Sequence, residues 1–234
     1  MSLRRRMPPE ARRSAILAAA TELMAGHGWD TVTVSGIVDA AEISKGGFYH
    51  HFSSKDAVME AVIRDLAASG LDSAVRALDT TEGDALKRFT AFLTAGLDWE
   101  SARAETLDQI ARIAAQRGND PFFGRLQENA IEHLRPALVA LVRAGAAEGT
   151  FSMSDAETGP AVDLLLHLLL SRWRTIAEAR GHARAGAPDL ARRIVADRLN
   201  AESALMARVL GLTEVQAASL AEGRTGYAGS LSAS

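Results

Sequence analysis

Residues 43–58 read ISKGGFYHHFSSKDAV. Two of the chain's three lysines stand here: Lys45 follows Ser44, and Lys55 follows Ser53 and Ser54. Both places look like the start of a helix, because a serine hydroxyl caps the free N–H groups of a first turn. A lysine in that turn faces the positive end of the helix dipole, which costs roughly a few tenths of a kcal/mol unless an anion comes near. Gly46 and Gly47 carry no side chains, so this helix start can approach another backbone closely. Phe48 and Phe52 are four residues apart and share one face, whereas Tyr49 and His50 point elsewhere.

A second short helix precedes this one. Thr33 is placed to cap it, and Ile37, Val38 and Ala41 form its inward face. Ile43 is the apolar anchor of the turn between the two helices. Helices of about two turns are not stable alone. They need flanking helices, and the sequence supplies them. One is expected over residues 9–27, with Ile16, Leu17, Ala20, Leu23 and Met24 on one face and Gly28 at its end; the other runs from 54 to 78. Two short helices joined by a tight turn make a helix-turn-helix, whose second helix enters the DNA major groove. Three helix starts, at Thr33, Ser44 and Ser53, present N–H groups suited to phosphate. Lys45 and Lys55 add charge there, and Tyr49 and His50 add hydrogen-bonding groups. His50 and His51 are adjacent and diverge by about 100° on a helix, so they form no metal site by themselves.

The bulk properties narrow the reading. With 47% hydrophobic and 24% charged residues the chain is globular. It has no cysteine, which excludes disulfides, thiolate ligands and a cysteine nucleophile. No apolar core follows the basic start, and the longest apolar run, AVDLLLHLLLS, is far below the roughly 20 residues that span a bilayer. A cytoplasmic location is expected. The net charge is −3, but residues 1–13 hold five arginines against one glutamate, a basic arm that could meet phosphate.

The rest of the chain reads as helix, at about 83–98, 102–117, 121–147 (with a break or kink at Pro136), 155–180 and 188–210, with a short helix from Thr213. The fold class is therefore all-α. The expected organisation is a helix-turn-helix DNA-binding domain over 8–54 and a larger helical body over 55–223, with the helix at 55 as connector. A disordered tail is expected over 224–234.

Residues 33–63, TVSGIVDAAEISKGGFYHHFSSKDAVMEAVI, resemble the DNA-binding domain of the TetR (tetracycline-repressor) family of bacterial transcription regulators. The resemblance extends back through ILAAATELMAGHGWDTVTV and covers about residues 10–64. It implies that Thr33, Lys45, Gly46, Tyr49, His50 and Lys55 line the DNA, mostly at phosphates, and that Ser44 and Gly47 shape the recognition helix. It also implies a ligand-responsive repressor that binds a palindromic operator as a homodimer and is released by a small molecule. It further implies that the helical body over 55–223 binds the effector and forms the dimer. Dimerisation is expected through the helices near 155–180 and 188–210. Two residues depart from the family pattern. Glu42 stands at a turn position commonly held by glycine, and costs about 1 kcal/mol if left-handed. Gly36 stands inside the first short helix, where it weakens the helix by a similar amount.

For the effector, Phe92, Trp99, Phe122, His133, His167 and Trp173 are the candidate lining, which favours a hydrophobic or aromatic molecule. No G-x-S-x-G, H-E-x-x-H, P-loop or dinucleotide fingerprint is present, so no enzyme activity, cofactor or metal is expected. The competing reading is an all-helical small-molecule-binding protein or enzyme with a vestigial helix-turn-helix.

Overall fold

A computed structural model describes residues 8–114 and 120–230, and the described elements are helical. In chain order they are α1 (Pro9–His27), a 3-10 turn (Trp29–Thr31), α2 (Val34–Ala40), α3 (Lys45–Tyr49), α4 (Lys55–Thr80), α5 (Ala85–Ser101), α6 (Ala104–Ala114), α7 (Asp120–Ala147), α8 (Asp155–Arg184), α9 (Pro188–Leu210) and α10 (Glu214–Ser230). The chain divides into two compact units, Met1–Ala67 and Ala68–Ser234, and the boundary falls inside α4. Among the described residues no helix is long and apolar enough to cross a membrane.

The first unit is built by α1 and the start of α4 clamping the two short helices. Ile16, Ala20 and Met24 recur at fourth positions along α1 and are fully buried, as are Ile37 of α2, Phe48 of α3 and Val58 of α4. Phe52 joins this core with its ring centroid 6.2 Å from that of Phe48. Burial against these neighbours supplies what helices of seven and five residues lack on their own.

The second unit gathers one large core from α5, α7, α8, α9 and α10, with the end of α4. Phe89 and Leu93, Leu138 and Leu141, Val162 and Leu166, Met206 and Leu210, and Leu220 all lie in it. Helix starts follow local chemistry. Asp84 accepts the Lys87 N–H at 2.8 Å, and Ser154 with Glu157 forms a reciprocal capping box at α8. α7 runs without interruption through Pro136, where a break or kink was expected. The carbonyl deprived of its donor is on the exposed side, while Leu134 and Leu138 anchor the helix in the core on both sides.

The expected disordered tail from 224 is corrected in part. α10 extends to Ser230, because Leu220 is buried in the core and Arg224 is held by a buried carboxylate; residues 231–234 lie outside the described residues. That carboxylate is Glu202 of α9, which accepts from Arg198 at 2.7 Å, from Arg172 of α8 at 3.4 Å and from Arg224 at 2.5 Å. Arg172 also donates to Glu100 of α5 at 3.2 Å, and Arg224 to the Ser203 hydroxyl at 3.0 Å. Nearby, Asp108 of α6 pairs with Arg184 at 2.5 Å and Arg180 at 3.6 Å. Burial holds the Asp108 carboxyl above its ordinary value, against the pull of Arg180 and Arg184. Five helices, α5, α6, α8, α9 and α10, are thus tied through charged side chains that a composition reading assigns to the surface.

Candidate nucleic-acid interface

The helix-turn-helix is shaped by its caps. Thr33 Oγ1 accepts the Gly36 N–H at 3.0 Å and starts α2. The end of α2 is a Schellman motif: the Ile43 N–H reaches the Val38 carbonyl at 3.1 Å, and the Glu42 N–H reaches that of Asp39 at 3.2 Å. This geometry requires a left-handed residue between them, and Glu42 takes it with φ 52°; it is the non-glycine residue at positive φ among those described. The strain anticipated at this turn is therefore present. Ser44 Oγ then accepts the Gly47 N–H at 3.0 Å and starts α3. α4 is capped by Ser54, whose hydroxyl accepts the Ala57 N–H at 3.0 Å; Ser53, the expected cap, lies one residue outside.

α3 has two unlike sides. Phe48 is fully buried, with Tyr49 edge-on to it at 5.3 Å. Lys45, Gly46, Tyr49 and His50 are exposed, Tyr49 by 52% despite its size, and so are Ser44 and Thr33. A large aromatic left in solvent on a short, rigidly capped helix is the arrangement of a reading surface rather than a core element. Gly47 is only half-exposed.

Lys55 is engaged within the unit. Its ammonium donates to the Trp29 and Val32 carbonyls, each at 2.8 Å, and sits 5.0 Å over the Trp29 ring. It ties the first turn of α4 to carbonyls at both ends of the 3-10 turn. A phosphate contact by Lys55 therefore competes with three interactions inside the unit.

The expected effector residues do not converge. Phe92 is 4% exposed and stacked on Phe89, so it is core. His133 is exposed and pairs with Asp72 at 3.2 Å, and His167 is exposed with Nδ1 2.7 Å from the Asp163 carbonyl of its own helix. The aromatic character of Phe92 serves packing, and both histidines have local partners on the surface. Phe122 and Trp173 do come together, through Phe123. Phe123 is edge-on to Phe122 at 5.2 Å and stacked on Trp173 at 6.2 Å, and all three are half-buried. Trp99 lies elsewhere, packed on Gly70, donating to the Ser69 hydroxyl at 3.2 Å with the Arg103 guanidinium 4.8 Å over its ring. Phe123 is among the aromatic residues that the sequence offers between α5 and α8, but it stands outside the candidate lining; its adjacency to Phe122 at the start of α7 was the available signal.

Comparison with known proteins bears on this arrangement. Residues 16–62, from the core of α1 to the first turns of α4, match the family model described as bacterial regulatory proteins, tetR family. The HTH-type transcriptional repressor KstR2 of Mycolicibacterium smegmatis is 31% identical over 144 residues, covering 61% of this chain and 69% of that repressor. This chain belongs to the TetR family. The HTH-type transcriptional regulator EthR of the same organism is 29% identical over 171 residues, 72% of this chain and 74% of the regulator. Among solved structures, a TetR-family transcriptional regulator from Pectobacterium atrosepticum superposes with a TM-score of 0.68 at 20% identity, covering 88% of this chain and 98% of that one, a likeness of fold. As a TetR-family member the chain is a DNA-binding transcription regulator. Its helix-turn-helix is α2–α3, and α3 is the recognition helix.

Proposed function

We propose that this regulator is a repressor that binds a twofold-symmetric operator as a homodimer and releases it when a small apolar or aromatic molecule binds the helical body. The observation that carries the DNA contact is the exposed face of α3, where Lys45, Gly46, Tyr49 and His50 stand free of the core that holds Phe48. Lys45 supplies charge for phosphate, Tyr49 and His50 reach phosphate or base edges, and the bare Gly46 lets the helix backbone approach closely. Thr33 and Ser44 set the ends of the two helices.

Support for pairing through α8 and α9 comes from their outer faces. Leu164 of α8 is 63% exposed and Leu205 of α9 is 46% exposed, whereas Leu165, Leu166, Leu199 and Leu210 of the same helices are buried. One helix-turn-helix makes few base contacts, whereas a pair spaced by one helical turn reads a palindrome. For the effector, the stacked Phe123 and Trp173 with Phe122 edge-on offer flat, half-exposed rings suited to an aromatic or hydrophobic molecule.

Selection of duplexes from a random library by the purified protein tests the whole reading. Recovery of a palindromic consensus, lost with Tyr49→Ala while the dimer persists in sedimentation, supports it. Recovery of no consensus, or a Tyr49→Ala protein that binds as the wild type does, overturns it. Leu164→Asp with Leu205→Asp should give monomers, and an intact dimer would place the interface elsewhere.

A further inference from the structure

Beside the recognition helix, one side chain from α1 occupies space that Gly47 leaves open. A Cβ at Gly47 would lie 3.3 Å from Arg12 Cδ, 3.8 Å from Arg12 Nε and 3.2 Å from the Ser44 hydroxyl oxygen. The stem of the Arg12 side chain, at Cδ and Nε, therefore passes beside the Gly47 backbone of α3. Gly46 is different, because a Cβ there meets nothing within 4 Å. Successive helical residues turn by about 100°. With Phe48 pointing into the core, Lys45, Gly46, Tyr49 and His50 span the outer face, and Gly47 lies on its flank. Arg12 borders that face.

Arg13 also lies near, and is drawn to Asp65 at 3.6 Å and to the Phe52 ring at 5.6 Å. His51 senses the local charge: burial first, then His50, Arg12 and Arg13, hold its imidazole below the ordinary 6.5. A planar guanidinium is suited to phosphate oxygens, which it can grip through two N–H groups at once.

We propose that Arg12 is a further DNA-contacting residue that grips backbone phosphate on the wall of the groove entered by α3, and that Gly47 is its positioning residue. Gly47 works by omission, since a side chain there would press on the arginine stem and shift it. The inference rests on the DNA-binding reading above and adds to it a residue from α1. It also gives Gly47 a purpose that helix geometry alone does not, because glycine weakens a helix at that position.

The test uses the full chain and a labelled duplex recovered by the wild-type protein from a random library, with affinity followed against salt concentration. Each phosphate contact adds about 0.9 to the slope of log affinity against log salt, so Arg12→Ala should flatten the slope of a dimer by about 1.8. Arg12→Lys should retain the slope. Gly47→Ala, with thermal unfolding followed alongside because the new Cβ also lies 3.2 Å from the capping Ser44 hydroxyl oxygen, should lower affinity several-fold in the wild-type background and lower it much less when Arg12 is already alanine. A slope and affinity unchanged in Arg12→Ala, or a Gly47→Ala loss of equal size in both backgrounds, overturns the proposal. Failure of the wild-type protein to recover any duplex overturns the DNA-binding reading and this one with it, whereas a wild type that binds beside an indistinguishable Arg12→Ala overturns this one alone.

Discussion

Arg224 of α10 donates to Glu202 of α9 at 2.5 Å, and each side chain is 1% exposed. Glu202 also receives Arg172 and Arg198, so a single carboxylate answers guanidinium groups from three helices. Removing one partner of a buried pair leaves an uncompensated charge and costs about 3–5 kcal/mol. Glu202→Gln should therefore lower the stability of the second unit by about 3 kcal/mol or more. Arg224→Met should cost less, because Glu202 keeps its other two arginines. Urea unfolding followed by circular dichroism measures both, and equal midpoints for Glu202→Gln and wild type would show the network to be dispensable.

The left-handed Glu42 costs about 1 kcal/mol relative to glycine. Glu42→Gly should stabilise the first unit by about that amount and also remove an exposed acid beside the recognition helix. Thermal unfolding gives the first effect. Affinity for duplex DNA at low salt gives the second, expected as tighter binding.

Lys55 spends its ammonium on the Trp29 and Val32 carbonyls. Hydrogen bonds from a charged donor contribute about 1.5–3 kcal/mol. Lys55→Met should lower the stability of the first unit on that scale while leaving the salt dependence of DNA binding unchanged. A flattened salt slope with unaltered stability would restore the phosphate contact that the sequence suggested.

His51 is held below 6.5 by burial first, and then by the charges of His50, Arg12 and Arg13. The unfolded chain therefore takes up a proton at His51 before the folded one does. Stability is intact above pH 6.5 and declines as pH falls through 6.5 towards the lowered folded value. His51→Gln should flatten the stability profile in this window, as read by chemical denaturation at a series of pH values.

How much of this was legible in the sequence depended on the range of the interactions. The caps at Thr33 and Ser44 act three residues away, and sequence placed both; the positive φ at Glu42 was raised only as a condition, by the glycine that the family pattern commonly has there. Phe48 and Phe52 were readable because inward faces repeat at fourth positions. Lys55 was not, since its carbonyl partners are 26 and 23 residues upstream and only the folded turn brings them together. The same holds for Arg224, 22 residues from Glu202, where an arginine in a small-residue tail looked like part of a solvated end. Among the effector candidates aromatic identity alone could not separate Phe92, which fills the core, from Trp173, which leaves part of its ring in solvent.

The ammonium of Lys55 above the Trp29 indole has a practical consequence. Of the chain's three tryptophans, Trp99 and Trp173 belong to the second unit and Trp29 alone to the first. With Trp99 and Trp173 replaced by phenylalanine, the emission of the remaining indole becomes an optical gauge of whether the DNA-reading unit is closed, because detachment of the cation and entry of water both shift its colour.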